Sequence, residues 1–471
     1  MNPATSDLSP NRRRWLLAAV MSGLLLAMLD QSIVGTALPT IVQTLGGNDL
    51  YVWVVTAYIV PATISIPIYA RLSDRHGRRA LLLIGMVLFL LGSGLAAAAQ
   101  NMEQLIGYRA LQGLGAGALE GLSFILVADL FAGRRSAALQ GALAGLMGIS
   151  FILGPLVGGF LTDHVGWRSV FTVNLPIGAA ALAVVATVLP ASIGRSERRG
   201  TPLDLTGIAL LTGGVGLLLV GLNERHLALI AGGLVVIAVF LAVERRAVAP
   251  IIPLKLFADR KVAAIMIAGT TSTFGLFAGA LLLPRYFQQV RDVSATHSGL
   301  LIYPLLLGIL VSVNVAGMLI AKRLEFRGTV LAGAGLAALG ALGFATFDAA
   351  TPGWQSLLFM ALIGVGVGPM LSGVQIAIQR SVPPAAIGGA TGTLMLLRQI
   401  GGSIAIAAAA TVYTAGTAHG AATAQAATAT GHAVFAVTLA GSAVAAAALL
   451  ALPRSAARLA APPAAAAVAP A

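Results

Sequence analysis

Four charged side chains stand alone inside long apolar runs of this 471-residue chain: Asp30, Arg109, Glu120 and Arg398. A charge near the centre of a membrane helix costs about 2.5–3.5 kcal/mol even on the lenient insertion scale. Residues kept at that cost are read as functional, and two acids and two arginines in oil can exchange protons and form ion pairs. Other chemistries lack their residues. The chain has no cysteine, which excludes thiol nucleophiles and thiolate metal sites. Its six histidines (His76, His164, His226, His297, His419, His432) contain no ligand-spaced pair. No metal or cofactor is therefore expected, and the chain does not read as an enzyme.

The elements that position these charges follow from composition. The chain is 58% hydrophobic and 10% charged, where a soluble protein carries about 25% charged residues. Its apolar residues come in blocks of roughly 20, enough to cross a hydrocarbon layer. With no water to bond the backbone, such blocks must be helices, which predicts an all-α polytopic membrane protein. Fourteen transmembrane helices are expected, the first over 15–37, the ninth over 262–284 and the tenth over 298–320. The 56 glycines suit helices whose backbones approach closely in lipid. The arginines before the first run do not make it a secretory signal, because the run is too long for one.

Charge sets the orientation. Of the 29 Lys and Arg, 23 fall on one alternating set of loops and four (Arg168, Arg225, Arg285, Arg291) on the other. This asymmetry predicts cytoplasmic N- and C-termini. The net charge of +13 then means contact with an anionic lipid leaflet and not with nucleic acid.

In that orientation Asp30 and Arg109 lie at depths that differ by roughly 3 Å at 1.5 Å per residue, so pairing is geometrically possible, while whether their helices face each other is not a property of the sequence. Gln112 follows Arg109 by three residues and Glu120 follows it by eleven. Eleven residues at about 100° each return to within about 20° of the start, so the three share one stripe with Glu120 roughly 16 Å deeper. A base and an acid on one water-lined stripe are the parts of a proton relay. The alternative is that Glu120 pairs structurally or snorkels to an interface.

Several strings carry a family resemblance. ARLSDRHGRR, at 70–79, resembles the loop GxLaDrxGrr of the major facilitator superfamily, with Ala70 in place of its first glycine. RALQGLGAGA resembles that family's helix-four motif. MLDQSIVGTALP resembles the helix-one string LDxtIVnvALP of the fourteen-helix drug:proton antiporters, the EmrB/QacA-like subfamily. GPLVGG, which is Gly154, Pro155, Gly158 and Gly159 with two residues between, resembles the antiporter motif GPxxGG of helix five. WRSVFTVNLPIG and LRQIGGSIA also resemble subfamily segments. The resemblance runs nearly to residue 410.

It implies a major facilitator fold of two six-helix bundles, 15–190 and 262–452, around a linker with two inserted helices at 191–261. A cytoplasmic arm (1–14) and a disordered cytoplasmic tail (453–471) complete the chain, which is expected as a monomer in a bacterial inner membrane. It implies a conformational lock formed by Asp74, Arg75, Gly77, Arg78 and Arg79 with Asp129, proton coupling through Asp30, Arg109 and Glu120, and export. The alternative for the loop is a basic segment that only sets topology. Multidrug efflux of small amphipathic compounds by proton antiport is the expected function. A metabolite, lipid or siderophore exporter on the same scaffold, or a symporter or facilitator, is the alternative. Substrate-cavity candidates are Gln31, Gln112, Tyr303, Asn314, Gln375 and Arg398, each of which would serve equally as a helix–helix hydrogen bond. The absence of further intramembrane acids in the second half favours neutral or weakly charged substrates.

Overall fold

The computed structural model describes residues 9–130, 133–190, 204–224, 226–247, 250, 252, 254–323, 325–383, 387–417 and 423–453. The expected linker core, the tip of the arm and the tail lie outside them.

The first helix, α1, runs Pro10–Leu45, longer at both ends than the apolar run. The Ser9 hydroxyl caps it by accepting from the Arg12 amide, and Pro10 sits where a missing N–H costs nothing. There follow α2 (Tyr51–His76), α3 (Arg78–Ala97), α4 (Met102–Leu130) and α5 (Gly133–His164). A short α6 (Ser169–Thr172) leads into α7 (Asn174–Val188), and α8 (Leu205–Asn223) and α9 (Leu227–Glu244) form an antiparallel pair. Two further spans are broken: α10 (Arg260–Thr271) with α11 (Phe274–Gln289), and α12 (Ala295–Leu301) with α13 (Tyr303–Arg323). The chain continues through α14 (Arg327–Ala345), α15 (Gly353–Ser381), α16 (Ile387–Gly416) and α17 (Thr423–Leu450).

Among the described residues twelve helical segments are long and apolar enough to cross a bilayer. The helices at Gly133–His164 and Leu205–Asn223 are not among the twelve; the apolar run of the second, Thr206–Leu222, falls below eighteen residues. At 1.5 Å per residue it reaches only about 26 Å, the lower limit of a crossing.

The chain divides into two packed units. The first comprises Met1–Ile251, Ala280–Tyr303 and Ile406–Thr430, and the second Ile252–Gly279, Pro304–Ala405 and Gly431–Ala471. Two segments of the expected second bundle thus pack with the first unit. In that unit the glycines of α4 let backbones meet: Gly113 faces the Tyr58 carbonyl and Gly117 the Ala62 carbonyl, both on α2. Gly85 of α3 abuts Ala118, and Gly92 abuts the Gln112 backbone. A side chain at any of these positions would part the helices that place Arg109. The second unit packs Ile265 and Met266 of α10, Phe326, Val330 of α14, Val374 of α15, Leu394 of α16 and Leu449 of α17 into one core.

Candidate functional site

Asp30 and Arg109 meet. Both side chains are sealed from solvent, at 0% and 1% exposure, and the Arg109 Nη1 donates to Asp30 Oδ2. The other carboxylate oxygen accepts from Gln112 Nε2 at 2.8 Å and from Asn174 Nδ2 at 2.8 Å. Arg109 also donates to Gln112 Oε1 at 2.8 Å and through Nε to the Val54 carbonyl at 3.3 Å. Its guanidinium lies 4.1 Å over the Tyr58 ring, whose hydroxyl donates to the Ala27 carbonyl at 2.7 Å. Burying two charges is costly, and mutual attraction offsets it only when the remaining donors and acceptors are also satisfied. Here both carboxylate oxygens have neutral or charged donors, and four helices (α1, α2, α4, α7) supply the shell. Asn174 is itself positioned by the Ser93 hydroxyl at 2.9 Å.

Glu120 stands apart. It is 7% exposed, and among the described residues it has no hydrogen bond or ion pair. Its neighbours on α4 explain the isolation: Gly117 and Gly121 face α2, Ala118 faces α3 and Leu119 faces Gly23 of α1. The shared stripe with Arg109 does not produce a shared contact, because eleven residues of α4 separate the two by roughly 16 Å.

The helix-five string serves two neighbours. Gly154 abuts Ser32, and Gly158 leaves only 2.6 Å between a would-be Cβ and the Ile33 carbonyl oxygen, so α5 rides directly on α1 two residues past Asp30. The Ser32 hydroxyl donates across to the Ser150 carbonyl at 3.1 Å. Gly159 turns the other way and abuts Ala295 of α12, while Gly299 of α12 abuts the Pro155 carbonyl. At the end of α5, Asp163 accepts from the backbone amides of Ala295 at 3.0 Å and Thr296 at 2.7 Å. Gln288 donates to the Thr36 carbonyl at 2.8 Å within the same layer.

The expected lock is described only in part. Gly77 has φ +90°, a conformation that side chains avoid, and it makes the sharp turn between α2 and α3. Arg78 is buried and donates to the Ser73 hydroxyl, and Arg79 donates to the Ala186 carbonyl of α7. The side chains of Asp74, Arg75 and Asp129 lie outside the described residues.

The cavity candidates separate. Gln112 belongs to the Asp30 cluster, and Gln31 is half-buried beside it on α1. Arg398 donates to the Leu371 carbonyl at 2.7 Å and to Gln375 Oε1 at 3.3 Å. The Tyr303 hydroxyl donates to the Ile152 carbonyl at 2.9 Å, a helix–helix bond. Asn314 bonds back to its own helix at Leu310 and shares its exposed face with Val311, Val315 and Met318, an apolar stripe suited to lipid.

Sequence reasoning missed Asn174, Ser93 and Tyr58, neutral groups that surround the charged pair, and Asp163. The signal for Asn174 was available, a carboxamide just inside an apolar run; Asp163, at the end of α5, carried none.

The sequence profile of the Major Facilitator Superfamily matches residues 20–406. Multidrug transporter protein MdtP of Bacillus subtilis is 32% identical over 406 residues, which make up 84% of this chain and 74% of that protein. Efflux pump FUS6 of Gibberella fujikuroi is 30% identical over 430 residues, 88% of this chain and 77% of its own. Among solved structures, a bacterial homologue of the human lysosomal transporter Spinster in an inward-facing, occupied conformation superposes with a TM-score of 0.69. That match covers 94% of this chain and 97% of the other at 14% identity, and speaks for the fold alone.

Proposed function

The chain belongs to the Major Facilitator Superfamily, and we propose that within it the protein is a proton-coupled exporter of small amphipathic compounds, a multidrug efflux antiporter working by alternating access. The observation that carries this reading is the sealed cluster of Asp30, Arg109, Gln112 and Asn174. Protonating Asp30 removes the charge that holds Arg109. The guanidinium then keeps Gln112 Oε1, the Val54 carbonyl and the Tyr58 face as its remaining partners, all neutral. Because α5 rides on α1 at Ser32 and Ile33, a shift of Asp30 transmits directly to the layer that packs α12. One proton entering down about 100 mV supplies about 2.3 kcal/mol, and each pH unit adds about 1.36 kcal/mol. The sum sustains a substrate gradient of roughly several hundred-fold, a magnitude suited to efflux.

The similarity to proteins named multidrug transporter and efflux pump supports export. Glu120 is assigned as a second proton acceptor acting without Arg109, and Asp74, Arg75, Gly77, Arg78, Arg79 and Asp129 as the cytoplasmic lock. The paired helices α8 and α9 support the fourteen-helix subfamily, with two inserted helices at 191–261 between bundles at 15–190 and 262–452. The distribution of Lys and Arg supports a bacterial inner-membrane protein with both termini in the cytoplasm.

The test is proton flux in inverted membrane vesicles on adding the neutral amphipathic probe 1-pyrenebutanol, for wild type and Asp30→Asn. Wild type is expected to dissipate an imposed pH gradient in a substrate-dependent way and the variant to lose at least tenfold of that flux. Equal flux would remove Asp30 from the coupling.

A further inference from the structure

The second unit holds one charged side chain deep within its described helices. Arg398 lies eleven residues into α16, about 16 Å from that end at 1.5 Å per residue. The other charges of that unit sit at helix ends or in turns. Asp259 caps α10, Glu325 accepts from the Gly328 amide ahead of α14, and Asp348 bonds Thr351 in a turn. Among the described residues no acid approaches Arg398. Its guanidinium is held by neutral acceptors alone, the Leu371 carbonyl and Gln375 Oε1, and its Nε is buried without a partner. The Arg398 residue as a whole is partly buried, where Arg109 is fully buried. Packing of α16 does not require the charge: Gly401 against the Thr270 carbonyl and Gly402 against Phe277 make that contact one turn further on.

A fork of N–H donors with a fixed charge, oriented by a carboxamide and lacking a counter-ion in oil, matches a carboxylate or sulfonate. We propose that Arg398 is the recognition site for an anionic group on the transported molecule, so that the substrates include amphipathic organic monoanions, with Gln375 setting the plane of the guanidinium. The proposal rests on the export reading for the role of the bound molecule, but its binding test does not. It also replaces the expectation of neutral substrates, which considered only the missing acids and not the surplus base. An inside-negative potential drives an anion outward and a proton inward, so exchanging one for the other draws on the potential twice.

The experiment uses three probes with one aromatic body: 1-pyrenebutyrate, 1-pyrenebutanol and 1-pyrenebutylamine. Equilibrium binding to the purified full chain in phosphatidylcholine nanodiscs is followed by pyrene fluorescence. Wild type is expected to bind the carboxylate at least tenfold more tightly than the alcohol or the amine. Arg398→Gln should abolish that preference while leaving alcohol binding within twofold. Arg398→Lys, which keeps the charge and loses the fork, should retain part of it. A structural Arg398, acting only as a donor to Leu371, would give no difference among the three probes. Wild type without a carboxylate preference overturns the proposal whether or not any variant folds, and so does a well-folded Arg398→Gln that keeps the preference. Carboxylate-selective binding without uptake driven by a pH gradient in inverted vesicles would leave the Arg398 site standing and defeat the export reading instead.

Discussion

Arg109 and Arg398 are the same side chain inside long helices of two different units, and they are treated in opposite ways. Arg109 is closed in by the Asp30 carboxylate, the Gln112 carboxamide, the Val54 carbonyl and an aromatic face. Arg398 has a carbonyl, a single carboxamide oxygen and an unpartnered Nε. A charge in hydrocarbon is therefore not one kind of feature. A neutralised pair carries its own counter-charge, whereas an un-neutralised base leaves its partner to be supplied.

The largest effect should come from breaking the neutralised pair. Removing one member of a buried ion pair costs about 3–5 kcal/mol, while replacing both costs much less. Thermal unfolding of the purified protein should thus fall steeply for Arg109→Gln alone and recover much of the way in the Asp30→Asn, Arg109→Gln double variant. Transport should be absent from both. A double variant no more stable than the single would mean that the pair is not the unit.

Next comes the shell. Asn174→Ala deletes one donor to a charged acceptor, a bond of about 1.5–3 kcal/mol. It should lower the unfolding temperature by less than Arg109→Gln, and Ser93→Ala, which touches Asn174 and not Asp30, by less again. If Asn174→Ala were silent, the carboxamides would be bystanders.

Arg398→Gln should be milder still. Bonds from a charged donor to neutral acceptors are lost, each about 1.5–3 kcal/mol, but the expense of burying an unpaired charge is lost with them. The unfolding temperature is expected to stay close to wild type or to rise. A collapse as deep as that of Arg109→Gln would erase the contrast between the two arginines.

Asp163 gives the smallest effect, in water. Burial pushes its carboxyl up, but hydrogen bonds from Thr296, Ser294 and Ala295 outweigh burial and hold it below the ordinary aspartate range. A lowered folded value means that the stabilisation is complete above the unfolded value and is lost as pH falls through the folded one. Acid should loosen the contact between α5 and α12 in wild type and add nothing in Asp163→Asn. Because the chain has no cysteine, a single one introduced at the exposed Val165 would report the change by its labelling rate.

The contrast between the arginines was only half legible in the sequence. Charges in apolar runs and matched depths pointed to Asp30 with Arg109, because both are properties of single helices. The stripe placed Glu120 on the Arg109 face of α4 from helical periodicity alone. It gave azimuth alone, and what stands opposite depends on α1 and α2. The lack of acids in the second half was equally visible, but its consequence for Arg398 needed the Leu371 and Gln375 bonds. The break between α10 and α11 escaped the apolar count because Ser272 folds its hydroxyl back to the Gly269 carbonyl at 2.7 Å, a local bond that competes with the helix.

Proton release on ligand binding tests the central claim most directly. Purified protein in weakly buffered detergent solution, with a pH-indicator dye, is titrated with a transported compound over a series of pH values. The account predicts release of about one proton per bound ligand from wild type and a smaller, separate release or none from Asp30→Asn. Identical release from both would contradict it.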